Sequence, residues 1–96
     1  GSRFSAFSSA KFALRAVSQS MARELGPQGI HVAHFIIDGA IDTAFIKENF
    51  PDTYALKQKD GILQPDAIAD AYWFVHSQHK SAWTHELDLR PYMEKF

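Results

Sequence analysis

Phe7-Ser8-Ser9-Ala10-Lys11 has the spacing of a Tyr-x-x-x-Lys pair, with a phenylalanine where the tyrosine would stand. Residues four apart on a helix share a face, so a Tyr and a Lys so placed present a phenol and an ammonium to one substrate atom. The ammonium lowers the pKa of the phenol, which then acts as general acid or base in a carbonyl–alcohol interconversion. Phe7 keeps the ring and loses the proton. Tyr54, Tyr72 and Tyr92 are the chain's tyrosines, and none is in register with Lys11.

A second cluster is Asp38-Gly39-Ala40-Ile41-Asp42-Thr43. It follows an apolar run and reads as a loop at the carboxyl end of a strand, where ligands of open α/β sheets bind. Gly39 permits close backbone approach, although an ordinary Asp-Gly turn has the same local signature. The five histidines do not assemble a metal site. His31 and His34 fall on opposite faces of a strand, and His76 and His79, near a helix end, lack a third ligand. Trp73, Phe74 and Trp83 read as core, because no basic groove accompanies them as a stacking platform would need.

The elements that must carry these residues follow from periodicity. Ser5 to Leu25 reads as a helix with Ala10, Leu14, Val17, Met21 and Leu25 in an apolar stripe, stopped by Gly26-Pro27. Ile30 to Ile37 is a β-prone run that is apolar on both faces apart from its histidines, as in a strand covered on both sides. Thr43 to Gly61 is polar with scattered aromatics and holds one or two short helices. Pro65 and Asp66 open a helix reaching Ser77, with Ile68, Tyr72 and Val75 as its buried face. Thr84 to Arg90 alternates as an edge strand with one wet face. The order is α-β-α-β, the last three elements forming one right-handed crossover between parallel strands. The fold class is therefore α/β and partially Rossmann-like.

Composition narrows the function classes. The 96 residues are 46% hydrophobic and 14% aromatic, which predicts one small globular domain. Ten Lys+Arg against eleven Asp+Glu leave a charge of -1, giving no electrostatic case for nucleic acid or a membrane surface. With no cysteine there is neither a disulfide framework nor a thiolate nucleophile, which suits a reducing cytoplasm. No apolar stretch approaches the length of a membrane span and no signal-peptide pattern opens the chain. A two-stranded parallel sheet is marginal alone, and the Ile30–Ile37 strand expects a neighbour on each edge. Another copy or a longer polypeptide would have to supply it.

Phe7 to Asp42 reads FSSAKFALRAVSQSMARELGPQGIHVAHFIIDGAID. This resembles the C-terminal half of the short-chain dehydrogenase/reductase family: a helix with the active-site Lys, a Glu-Leu-Gly-Pro-x-Gly-Ile turn, a buried strand, and a Pro-Gly-x-x-x-Thr loop. Leu63 to Ala69 is similar to the family's Pro-Glu-Asp-Ile-Ala helix start, and Trp83 to Leu89 stands where its last strand would be. The resemblance implies an NAD or NADP cofactor and a small carbonyl or alcohol substrate. It implies that Lys11 hydrogen-bonds the nicotinamide ribose and that Phe7 occupies the position of the acid. Gly39, Ile41 and Thr43 would wrap the nicotinamide and pyrophosphate, the Ile41 backbone bonding the carboxamide and the Thr43 hydroxyl a phosphate or the amide. Asp38 replaces the family's Pro, and Asp42 adds a second negative charge near the phosphates.

The family's Gly-x-x-x-Gly-x-Gly phosphate loop has no counterpart among the glycines, and its catalytic serine would lie about a dozen residues before Phe7, ahead of Gly1. The expectation is that residues 1–96 correspond to the C-terminal half of such a domain without the nucleotide-binding half. Such a piece would be inactive by itself and would bind a dinucleotide weakly. It would pair with another copy through the Ser5–Leu25 helix, as the family's subunits do. Two other readings stand beside it: a pseudoenzyme that kept the fold and lost the acid, and a non-catalytic α/β oligomerisation module.

Overall fold

Gly26 and Pro27 end the first helix as their backbone preferences require. The computed structural model describes residues 2–95, and α1 spans Ser2–Leu25, beginning earlier than the stripe indicated. A 3-10 turn over Gly26–Gln28 follows, closed by Gly29 at a left-handed φ of 85° with its N–H on the Gly26 carbonyl at 2.9 Å.

The strands are β1, His34–Ile37, and β2, Glu86–Leu89, paired in one two-stranded sheet. The His34 N–H bonds the His85 carbonyl at 2.8 Å and the Asp38 N–H the Leu89 carbonyl at 2.9 Å, so both chains advance together and the pair is parallel. Between them lie α2 (Ala44–Asn49), α3 (Pro51–Tyr54), a 3-10 segment (Ala55–Lys59), α4 (Pro65–His76) and a 3-10 turn (Lys80–Ala82). The α/β class and the parallel pair agree with the sequence reading. Both strands are shorter than expected. β2 offers a ladder only from Glu86, and residues 31–33 have no strand to pair; His31 is held by its side chain instead. His31 Nε2 lies 2.7 Å from the Thr84 carbonyl, and its ring stacks on Trp83 at 4.5 Å with the planes 1° apart. Among the described residues no helix is long and apolar enough to cross a membrane.

The chain divides into two compact units. One comprises residues 2–34 with His79–Leu87, the other Phe35–Gln78 with residues 88–95. The hydrophobic core of the second unit is Ile62, Leu63 and Val75, at 3%, 8% and 4% exposure. The first unit has no fully buried residue among those described: Leu14, Val17 and Met21 of the α1 stripe all face solvent. On α4, Val75 is buried and Ile68 half-buried as expected, but Tyr72 is exposed even though its ring stacks on Phe35 at 3.8 Å. Trp73 and Phe74, expected in the core, are 67% and 64% exposed. Period alone selects the face of a helix that is apolar; it does not supply the surface that covers it.

With so few buried side chains, each should matter. Ile62→Ala should cost about 2–5 kcal/mol, the range for truncating a buried aliphatic residue. Chemical denaturation with m unchanged would show this as a lowered midpoint; truncating exposed Phe74 to Ala should leave the midpoint close to the parent's.

Candidate functional site

In the first unit, α1 places Phe7 and Lys11 one turn apart, with Lys11 Nζ 5.4 Å from the centroid of the Phe7 ring. The ammonium and the ring thus share a face, as their spacing requires, in a cation–π contact between two exposed side chains. One turn further on, Arg15 grips Glu86 of β2 with both prongs of its guanidinium, Nη2 to Oε1 at 2.7 Å and Nε to Oε2 at 2.9 Å. His34 Nδ1 stands 3.5 Å from the same carboxylate. The alternation of Thr84 to Arg90 places Glu86 on the wet face of its strand, and periodicity gives Arg15 no role. The Phe7, Lys11, Arg15 series at four-residue spacing was the available signal. Partial burial works to raise the Glu86 pKa, but the hydrogen bonds and charges of Arg15 and His34 outweigh it and hold the carboxyl below its ordinary value.

In the second unit the loop after β1 exchanges backbone partners. Asp38 ends the ladder on Leu89. Two residues later the Ala40 carbonyl accepts from the Leu63 N–H, and the Asp42 N–H donates to the Leu63 carbonyl, both at 2.8 Å. Ile41 and Leu63 therefore form a parallel bridge in which Leu63 uses the groups on either side of Ile41. The N–H and C=O of Ile41 itself have no backbone partner among the described residues. Gly39 sits at φ 139°, and a Cβ there would come within 2.9 Å of Pro91 Cδ, so the close approach it permits is that of this chain's own proline. Thr43 caps α2, its Oγ1 accepting from the Ile46 N–H at 3.3 Å. The Ile41 side chain lines an open apolar groove of about 610 Å³ with Pro65, Ile68, Ala69, Tyr72 and Trp73 of α4.

Both acidic residues of this loop are paired. Asp38 lies 3.1 Å from Arg90 Nη1, whose guanidinium also holds Asp88, and Asp42 lies 2.9 Å from Lys57 Nζ. Hydrogen bonds to Asp42 and then to Tyr54 raise the Lys57 pKa. The loop thus presents two paired carboxylates, the N–H and C=O of Ile41 and a capping hydroxyl, polar groups that can exchange hydrogen bonds with a ligand. The sequence does not reveal the partners of Arg90 and Lys57, because pairing across loops leaves no periodic trace. No group of three or more His, Cys, Asp and Glu side chains among the described residues is placed to hold a metal ion. His79 instead caps the Lys80–Ala82 turn, accepting from the Ser81 N–H at 3.1 Å.

No family model and no curated protein sequence matches the chain. Among solved structures it is similar to a short-chain dehydrogenase from Rhodopseudomonas palustris, with a TM-score of 0.61 and 47% identity over 93% of this chain. The chain spans 31% of the length of that dehydrogenase.

The Glu86 cluster gives the first unit a directional pH response. A carboxyl whose folded pKa is depressed contributes stability above its unfolded value and loses it as pH falls through the folded one. Arg15→Met should therefore lower the thermal unfolding midpoint at neutral pH. The gap between variant and parent should close as pH falls through the depressed folded pKa of Glu86, below which the carboxyl is protonated in both.

Proposed function

We propose that the chain is part of a short-chain dehydrogenase/reductase and contributes the nicotinamide end of the site for NAD(P)-dependent interconversion of a carbonyl and an alcohol. The observation that carries this is the 47% identity to a short-chain dehydrogenase over nearly the whole chain, joined to the Ile41 N–H and C=O, which have no backbone partner among the described residues. A bound nicotinamide would supply or take up the hydride. In this reading Ile41 receives the carboxamide on its N–H and C=O, two complementary groups left free by the Leu63 bridge. Thr43 keeps its hydroxyl proton for a phosphate or the amide while its oxygen caps α2. Lys11 offers its ammonium to the ribose hydroxyls. Asp38 and Asp42, paired with Arg90 and Lys57, add little net repulsion to an anionic cofactor. Pairing between copies would run along the exposed apolar face of α1, which carries Leu14, Val17 and Met21.

Phe7 favours a second reading, a binding protein that kept the fold and lost turnover. Its ring cannot donate the proton that must reach the carbonyl oxygen as hydride reaches the carbon. Loss of a positioned acid costs about 10²–10⁴ in rate.

The test uses the longest native polypeptide containing this chain, with NADH and NADPH as probes and a panel of simple aldehydes and ketones. Phe7→Tyr should raise carbonyl reduction by about 10²–10⁴, and Lys11→Met should weaken dinucleotide binding. Turnover by the unaltered protein equal to that of Phe7→Tyr would sink the binding-protein reading. Failure of the unaltered protein to bind either dinucleotide would overturn the proposal as a whole.

A further inference from the structure

Residues 44–60 form an excursion that leaves the loop at Thr43 and is drawn back at Leu63. Its start is fixed by the Thr43 cap on α2 and its end by the two Leu63 hydrogen bonds to Ala40 and Asp42. Near the return, the Asp60 backbone adopts a left-handed φ of 57°, and the Gly61 N–H bonds the Leu56 carbonyl at 2.9 Å. One ion pair joins the body of the excursion to the loop, Lys57 Nζ to Asp42 Oδ2 at 2.9 Å. Lys57 Nζ also lies 5.5 Å from the centroid of the Tyr54 ring, and Lys47 Nζ 5.8 Å from the same centroid. Asp42 immediately follows Ile41, so the charge that Lys57 cancels lies one residue from the Ile41 N–H and C=O.

We propose that Lys57 is a positioning residue for the dinucleotide loop: its ammonium cancels the Asp42 charge and fastens the 44–60 excursion to the strand segment carrying Ile41. The inference rests on the proposed function and assigns Lys57 a part in it. An Asp next to a nicotinamide–pyrophosphate loop repels phosphate unless a cation answers it, and here the cation comes from the excursion. Fastening and charge cancellation are separable, because removing Asp42 abolishes the first without exposing a negative charge.

The experiment measures two quantities in the longest native polypeptide containing this chain: NADH and NADPH affinity by fluorescence titration at low salt, and amide hydrogen exchange over residues 44–60. Lys57→Met, Asp42→Asn and the double variant should each speed exchange in that segment by about two- to five-fold, the scale of a partly exposed ion pair. Lys57→Met should weaken dinucleotide affinity by a similar factor of about two to five. Adding Asp42→Asn to Lys57→Met should tighten it again, and Lys57→Arg should stay close to the parent in both measurements. A double variant as weak as Lys57→Met, or exchange unchanged in all three, would overturn the proposal. If the unaltered protein bound neither dinucleotide, the reading of function beneath it would fall, while the exchange data would still judge the fastening on their own.

Discussion

Along residues 38–42 the backbone gives up one hydrogen-bonding partner and takes another, and the second unit is organised by that exchange. Asp38 completes the ladder to Leu89, and Ala40 and Asp42 then close on Leu63. A chain with L side chains throughout would not make the change so tightly. Gly39, at φ 139° against Pro91, absorbs the turn. The new partner brings the core with it, since Leu63 and its neighbour Ile62 are two of the three buried hydrophobic residues among those described. Pairing on both sides of Ile41 leaves its own N–H and C=O without a backbone partner among the described residues, so their availability is a consequence of the fold rather than an addition to it.

Charge follows the same economy. Read as a line of text, Asp38 and Asp42 put two negative charges on a loop proposed to hold an anion. In space each faces a cation from a later segment of the same unit, Arg90 beyond β2 and Lys57 in the 3-10 segment. The first unit uses the same device structurally: a bidentate Arg15–Glu86 pair with His34 alongside links α1 to β2, where apolar burial is sparse. Single exposed ion pairs contribute little to stability. Their value here lies in direction, because each fixes a carboxylate that would otherwise repel or wander.

What the sequence revealed was local. The α1 stop at Gly26-Pro27, the α4 start at Pro65 and the shared face of Phe7 and Lys11 depend on residues within a turn of each other, and all are present. The parallel pair was legible because two β-prone runs flank a helix. The lengths of those strands were not, since a strand extends only as far as its neighbour's ladder, and residues 31–33 have none. Burial was the least legible quantity. Tyr72, Trp73 and Phe74 look like core in composition and are exposed, because hydrophobicity records a need for cover without naming its source. The pairs Asp42–Lys57 and Asp38–Arg90 were invisible for a related reason: salt bridges between loops obey no period.

Phe7 stands where two rows of α1 meet. Counting by sevens, it lies with Leu14 and Met21 on the exposed apolar stripe; counting by fours, it lies with Lys11 and Arg15 on the charged row. A ring at that junction has two uses, to pack and to present a hydroxyl beside an ammonium, and only the second needs the oxygen. Replacing a tyrosine by phenylalanine there would keep the apolar stripe intact and leave Lys11 its ring contact at 5.4 Å while deleting the proton. The contacts of the ring at this position therefore do not need the hydroxyl. In the proposed reading, a packing ring and a proton donor at this junction differ by one oxygen atom.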